Sequence, residues 1–232
     1  MRFGVVVFPG TWSDCDFHYV ISEVIRQPVK YVWHRDRNLA DLDCVVLPGG
    51  FSYGDYLRAG AVAGKSPVVE ALRDFVANGG HVLGSCNGFQ ILCEAGLLPG
   101  VLMRNAALKF ICRDVYLRVE RSDTPFTRGY NAGQVIRVPV AHGEGNYVAD
   151  EETIARLEGE GRVLFRYAAP DGTLDPAWNL NGATNAIAGV LNGKRNVLGM
   201  MPHPENHVEA VLGATDGRGL FAGLTDHFKQ AA

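Results

Sequence analysis

Short runs rich in Val and Leu alternate with helix-length segments through the first half of the chain. We expect buried strands at residues 3–8, 29–33, 44–48 and 81–85. The segments between them predict helices from Ser13 or Asp14 to about Arg26, from Val68 to Ala77, and from Asn87 to about Glu94. This alternation of strand and helix is typical of βαβ units around a parallel sheet.

The second half of the chain is richer in strand-like segments. We expect strands at residues 112–119, 135–141, 162–167, 186–191 and 197–201, with helices near 150–158 and 219–229. Strands that follow one another without a helix favour antiparallel pairing, so we expect antiparallel additions to the sheet. No repeat, low-complexity tract or Pro- and Ser-rich linker interrupts the chain, which predicts one domain over residues 1–232.

Composition is that of an ordinary globular protein. The 232 residues are 47% hydrophobic and 20% charged, enough to bury one sizeable core. A net charge of −3 without charged blocks argues against nucleic acid and anionic membranes, so we expect small molecules or other proteins as partners. Five cysteines without a CxxC pair or metal-ligand spacing favour a reducing compartment and no metal site. The apolar N-terminal run breaks at Pro9-Gly10, too early for a signal peptide or membrane span, which favours the cytoplasm.

One cysteine lies where a predicted strand turns into a helix, in Gly84-Ser85-Cys86-Asn87-Gly88. Such a turn strains its central residue, and glycines two positions before and after it remove side chains that would collide. The start of the helix offers free N–H groups and a positive dipole end, which lower a thiol pKa. Cys86 is therefore expected to be an exposed, activated nucleophile. The alternative is a small buried cysteine before an ordinary turn.

A histidine between two prolines follows the last apolar run, in Met201-Pro202-His203-Pro204-Glu205. The prolines stiffen the backbone, and Pro204 pushes His203 toward extended geometry. Because positions two apart share a face of an extended segment, Glu205 is expected to accept a hydrogen bond from Nδ1 of His203. The pair would supply a base and its orienting group for a thiol nucleophile. A surface turn with solvated side chains is the alternative.

Two further strand ends carry glycines beside polar groups. In Pro48-Gly49-Gly50, an unhindered N–H of Gly50 is a candidate oxyanion donor beside the N–H of Asn87. A tight turn would explain the same glycines. His142-Gly143-Glu144 also follows a predicted strand, and its two charged groups could bind a polar substrate, face a partner or flank hairpin glycines.

Residues 59–66 partly match a phosphate-binding P-loop. Ala59 stands where the first glycine of that motif belongs, and no strand immediately precedes the segment. We therefore expect a loop that leads into a helix capped by Ser66, with Pro67 in its first turn. Without another nucleotide-binding fingerprint, the chain is not expected to consume ATP by itself.

Three segments, residues 84–90, 202–205 and 48–55, together resemble the class I glutamine amidotransferases. Residues 8–10, 141–145 and 179–182 extend the resemblance over essentially the whole chain, toward the glutaminase subunits that serve purine biosynthesis. Ser85 and Leu180 depart from the aliphatic residue and the proline common in that group. Neither departure falls on a catalytic position.

The resemblance implies a flavodoxin-like α/β fold, in which helices flank a mostly parallel central sheet with antiparallel strand additions. It also implies hydrolysis of the side-chain amide of glutamine through a γ-glutamyl thioester on Cys86. His203 would act as base and then as acid, and Glu205 would orient it. The remaining implied roles are the oxyanion hole, from backbone N–H groups of Gly50 and Asn87, and the glutamine site, near Gln90, His142, Gly143 and Glu144.

The same resemblance implies that ammonia passes to a separate synthetase chain, which converts formylglycinamide ribonucleotide to the amidine. ATP and Mg would be bound by that chain, a small accessory subunit would join the complex, and no cofactor would bind here. We expect poor activity in isolation, because such sites often assemble only on partner binding. The alternatives are the glutaminase subunit of another amidotransferase, a related α/β cysteine hydrolase or peptidase, and a non-catalytic binding module.

Overall fold

A large mixed sheet organises the computed structural model, which describes residues 1–231. The helices are α1 (Asp14–Tyr19), α2 (Pro67–Ala77), α3 (Asn87–Glu94), α4 (Glu151–Gly159) and α5 (Arg218–Ala231). The strands are β1 (Phe3–Val7), β2 (Val29–Trp33), β3 (Cys44–Leu47), β4 (His81–Ser85), β5 (Val101–Met103), β6 (Ile111–Val119), β7 (Val135–His142), β8 (Asn146–Val148), β9 (Val163–Ala168), β10 (Ile187–Leu191) and β11 (Val197–Met200).

Nine of these strands form the main sheet, in the order β2-β1-β3-β4-β11-β10-β9-β6-β7. The five strands from β2 to β11 are parallel, and the other four continue the sheet by antiparallel pairing. The predicted α/β class with antiparallel additions is confirmed. Strand β11 joins the two parts of the sheet: it is antiparallel to β10, as expected for consecutive strands, and parallel to β4. It is fully buried, like the other central parallel strands.

The predicted helices and main-sheet strands all occur, with bounds that shift by a few residues. The first helix is the largest change, since α1 ends at Tyr19 and the chain continues as a π-helix over Val20–Val24. The sequence missed β5 and β8, which pair in a separate two-stranded sheet. Each has only three residues, too few to show a periodic pattern.

Ser13 and Ser66 occupy the N-cap positions of α1 and α2 as predicted, but neither side chain bonds to its own helix. Ser13 Oγ instead accepts the N–H of Gly49 at 2.8 Å, and Ser66 Oγ donates to the carbonyl oxygen of Ala63 at 2.6 Å. In the P-loop-like segment before Ser66, a Cβ at Gly60 would lie 2.7 Å from the backbone nitrogen of Ile91. Gly60 therefore lets this segment pack closely on α3.

No helix within residues 1–231 is long and apolar enough to cross a membrane. The expected cytoplasmic location stays a prediction.

Helix α3 lies unusually close to the strands that precede it. A Cβ at Gly88 would stand 1.9 Å from the carbonyl oxygen of Leu47, and one at Gly84 would stand 2.8 Å from the carbonyl carbon of Gly88. Both clashes are with backbone atoms, which no rotamer change relieves. Glycine at these two positions thus fixes the start of α3 against the carboxyl ends of β3 and β4.

We predict that Gly88→Ala lowers the free energy of unfolding by about 3 kcal/mol, because the added methyl group overpacks a backbone contact. Urea denaturation followed by circular dichroism measures this change. Gly159→Ala in α4 is the matched control, since its Cβ would meet no atom within 4 Å. That variant is expected to be neutral or stabilised by up to about 1 kcal/mol. Equal stability of the two variants would contradict this packing argument.

Candidate active site

Cys86 occupies the turn between β4 and α3 with a backbone φ of 50° and ψ of −108°. A non-glycine residue in this region costs on the order of 1–3 kcal/mol and persists only where the surrounding fold imposes it. The predicted strained turn is present. The expectation of an exposed thiol is wrong, because Cys86 is only 5% exposed and its Sγ lies 3.7 Å from the carbonyl oxygen of Ala141. The end of β7 covers the sulfur.

His203 and Glu205 form a buried pair directly after β11. Nδ1 of His203 lies 2.6 Å from Oε1 of Glu205, and each residue is 1% exposed. The predicted partnership is present, but the expected extended backbone is not, because Pro204–Asn206 form one turn of 3-10 helix. Pro204 begins that turn, where its fixed φ fits and its missing N–H is not needed. Glu205 is thereby folded back toward the imidazole.

The register of the central strands brings this pair to the cysteine. Met200 at the end of β11 pairs with Ser85 at the end of β4, and the N–H of Cys86 donates to the carbonyl oxygen of Met200 at 2.8 Å. Parallel strands end at one edge of the sheet, so the residues that follow them meet there. His203 and Cys86 consequently share one site although they lie far apart in sequence.

The buried imidazole favours its charged form. Burial alone would lower the pKa of His203, but the charge of Glu205 and the nearby Cys86 sulfur outweigh it and hold the pKa well above its ordinary value. Nε2 is buried and makes no regular hydrogen bond. Since Glu205 fixes Nδ1, Nε2 is the nitrogen that can exchange a proton at the sulfur.

Gly49 and Trp12 contact the imidazole ring of His203. The sequence did not predict either contact. A Cβ at Gly49 would lie 2.5 Å from Cε1 of His203, so the ring rests directly on the Gly49 backbone. The Trp12 ring meets the imidazole edge-on, with 6.5 Å between the ring centroids. Trp12 showed no sequence signal because its indole sits in a loop and is largely exposed.

The two predicted oxyanion donors lie close to the cysteine in different ways. Gly50 lines the same cavity as Cys86 and has a φ of 151°, and its Cβ would lie 2.7 Å from the backbone nitrogen of Trp12. Asn87 is the first residue of α3 and follows Cys86 directly. The side chain of Asn87 makes its own contacts, and its Oδ1 accepts the N–H of Ser52 at 3.1 Å. Its backbone N–H as an oxyanion donor stays a prediction.

A cavity of about 170 Å³ opens at the cysteine. All four residues of the predicted glutamine site line it, so the structure brings them together with Cys86. The sequence did not assign Phe51, Asp55, Phe110 or Ala141, which complete the wall. The full lining comprises Gly50, Phe51, Asp55, Cys86, Gln90, Phe110, Ala141, His142, Gly143 and Glu144. Asp55 was within reach of sequence reasoning, because it ends the glycine segment already singled out.

Hydrogen bonds fix the floor and rim of this cavity. Nδ2 of Asn87 donates to Oε1 of Gln90 at 2.9 Å, and Nε2 of Gln90 donates to the carbonyl oxygen of Glu144 at 2.7 Å. This chain of bonds joins the start of α3 to the segment after β7. Gln90 therefore holds the two sides of the cavity together, in addition to any contact with a ligand.

His142 is neutral, not the charged group that the sequence suggested. Burial first and the charge of His203 second lower the pKa of His142 to about 4. Asn105, which carried no sequence signal, sets its tautomer. Nδ2 of Asn105 donates to the carbonyl oxygens of Lys109 and His142, so Oδ1 is the acceptor for the N–H of Gly145 and for Nδ1–H of His142. Nε2 of His142 is left as a buried acceptor without a partner.

Within residues 1–231, no group of three or more His, Cys, Asp or Glu side chains is placed to hold a metal ion.

The family model and the relatives that match this chain describe glutamine amidotransferases or their subunits. A family model described as a CobB/CobQ-like glutamine amidotransferase domain matches residues 2–218. "Phosphoribosylformylglycinamidine synthase subunit PurQ" of Bradyrhizobium diazoefficiens is 67% identical over 233 residues and is covered completely, as is this chain. The subunit of that name from Moorella thermoacetica is 54% identical over 230 residues, which cover 99% of this chain and 98% of the relative.

Solved structures agree with these sequence matches. A chain in the structure of PurLQS from Thermotoga maritima superposes with a TM-score of 0.87 at 41% identity, covering 98% of both chains. The glutaminase domain of CTPS from Trypanosoma brucei gives a TM-score of 0.58 at 13% identity, covering 97% of this chain and 94% of that one. The second likeness is one of fold alone.

We predict that Glu205→Gln lowers the pKa of His203, because the carboxylate that opposes the effect of burial is then lost. An NMR titration that follows Cε1 of His203 measures the change. Glu209→Gln is the control: it removes a nearby carboxylate that binds the Tyr19 hydroxyl and not His203. An unchanged His203 pKa in Glu205→Gln would show that the carboxylate does not support the imidazolium.

Proposed function

The chain belongs to the family of CobB/CobQ-like glutamine amidotransferase domains, and we propose that it is the glutaminase subunit of a phosphoribosylformylglycinamidine synthase. Relatives that carry this name match it essentially end to end at 54% to 67% identity. The observation that carries the chemistry is the strained Cys86 beside the buried His203–Glu205 pair at one edge of the sheet.

The first half of the reaction forms a thioester. The Cys86 thiolate attacks the side-chain amide carbon of glutamine, and the carbonyl oxygen becomes an oxyanion held by the backbone N–H groups of Gly50 and Asn87. Nε2 of His203 gives its proton to the amide nitrogen, the carbon–nitrogen bond breaks, and ammonia leaves. A γ-glutamyl thioester remains on Cys86.

The second half restores the enzyme. Nε2 of His203, now neutral, takes a proton from water as the water oxygen attacks the thioester carbon. The carbon–sulfur bond breaks, the new γ-carboxyl group releases its remaining proton to solvent, and glutamate leaves. The proton on His203 again faces a thiolate. Glu205 keeps Nδ1 of His203 protonated throughout, so only Nε2 changes its protonation state.

Ammonia is the product that the complex uses. It passes to the synthetase subunit, which makes the amidine in de novo purine biosynthesis, and a small accessory subunit completes the assembly. The similarity to a chain of PurLQS from Thermotoga maritima supports a complex of this kind. In this proposal ATP and Mg bind to the synthetase, this chain binds no cofactor, and the complex works in the cytoplasm.

Replacing the nucleophile tests the assignment. We predict that Cys86→Ala abolishes glutamate release from glutamine in the reconstituted complex, because no thioester can form. Synthesis with added ammonia should stay within about twofold of wild type, because the synthetase chemistry does not use Cys86. The measurements are glutamate release and amidine formation with glutamine or ammonium chloride as nitrogen source.

Cys112→Ala is the control, since Cys112 is an exposed thiol that does not itself line the cavity, and the variant should leave both rates unchanged. Glutamine turnover that persists in Cys86→Ala would refute the assignment. Hydrolysis of peptides or esters without any activity on glutamine would favour the related cysteine hydrolase instead.

We also predict that adding the synthetase partner raises glutaminase turnover of this chain by at least about tenfold, because partner binding completes such sites. Phe51 and Phe110, which line the cavity, are half exposed in the free chain and are open to such ordering. Turnover of the chain with and without its partner is the measurement. Equal rates would show that the isolated site is already complete.

A further inference from the structure

Two carboxylates, Asp55 and Glu144, line the cavity at Cys86, and the mechanism above uses neither. We propose that Asp55, assisted by Glu144, binds the α-ammonium group of glutamine and so selects an amino acid over a simple amide. This inference rests on the proposed function and deepens it, because it names the group that recognises one end of the substrate.

The charge balance of the cavity supports a cationic ligand group. Among the ten residues that line it there is no lysine or arginine, and His142 is neutral. Nε of Arg104 lies 3.9 Å from Oε1 of Glu144, but the Arg104 side chain is 78% exposed to solvent. Two carboxylates therefore face a small space without a buried cation between them.

This arrangement disfavours the charged form of Asp55. Burial first and the charge of Glu144 second raise the pKa of Asp55 to about 6, while the weak bond from Nδ2 of Asn87 at 3.4 Å opposes them. An ammonium group placed between two carboxylates removes their repulsion and adds charge-assisted hydrogen bonds. The free site thus stores an unfavourable interaction that a substrate cation relieves.

The loop that carries Asp55 is held rather than free. Tyr53, Gly54 and Asp55 all have positive φ angles, of 55°, 69° and 53°. The hydroxyl of Tyr53 lies 2.7 Å from Nδ1 of His34, and the N–H of Ser52 donates to the Asn87 side chain. These bonds fix the loop in a conformation that costs free energy, which is typical of positions set by function.

A separate observation also points to a polar ligand in this cavity. Nε2 of His142 is a buried acceptor without a partner, on a residue that lines the cavity. An unpaired buried acceptor is costly unless a ligand donor completes it. Glutamine presents donors at both ends, its carboxamide N–H groups and its ammonium. With the carboxamide at Cys86, the carboxylates are left for the ammonium.

The test compares glutamine with glutaramate, which has the same carboxamide and carboxylate but no α-amino group. Ammonia release is measured with the complex reconstituted from this chain and its synthetase. Wild type should prefer glutamine by about 100-fold in kcat/KM, as expected for one charge-assisted contact. Asp55→Asn keeps the shape of the side chain and should reduce this preference at least about tenfold, through a higher KM for glutamine.

Asp41→Asn is the matched control. Asp41 is exposed and precedes β3, so it lies at the end of the strand opposite to the cavity. The Asp41→Asn variant should therefore keep the full preference for glutamine. A folded Asp55→Asn enzyme that keeps the wild-type preference would overturn the inference. If that variant does not fold, Glu144→Gln decides in the same way, since Gln90 binds the backbone carbonyl oxygen of Glu144 and not its side chain. Absence of glutamine turnover in wild type would instead refute the proposed function.

Discussion

The backbone contact between α3 and the end of β3 is the constraint on which the site depends. Gly88 packs against the carbonyl oxygen of Leu47 so closely that no side chain fits between them. The chain has one residue, Cys86, in which to turn from β4 into this tightly seated helix, and it does so at positive φ. The strain at Cys86 is therefore sustained by packing energy elsewhere, which is how folded proteins hold unfavourable conformations at functional positions.

The same edge of the sheet also holds two buried charged groups. A buried imidazolium and a buried carboxylate are each costly to desolvate, and one without the other would be strongly destabilising. Glu205 and His203 enter the interior as a hydrogen-bonded pair on one short turn, so the fold buries both charges together. In the proposed mechanism the cysteine is a third member, since its thiolate lies beside this imidazolium.

Much of this could be read from the sequence, because the informative residues are local. The turn at Cys86, the pairing of His203 with Glu205, and the strands that end beside them all follow from short-range patterns. What could not be read depends on tertiary contacts. The burial of the Cys86 sulfur comes from β7, which is distant in sequence, and the tautomer of His142 is set by Asn105 from another loop. Ser13 and Ser66 matched capping patterns, yet Ser13 binds the Gly49 N–H across the fold.

Two histidines near one cavity are held in opposite charge states, and their hydrogen-bond partners explain why. Nδ1 of His203 faces a carboxylate, whereas Nδ1 of His142 faces the neutral side-chain oxygen of Asn105. Burial disfavours the charged form of both rings, so the neighbour decides. Once His203 is charged it further disfavours a proton on His142. In the proposed mechanism the single positive charge thus lies on the ring that delivers the proton, while the second ring remains an acceptor. Proton transfer and ligand recognition are then assigned to different histidines because a carboxylate lies behind one of them and an amide behind the other.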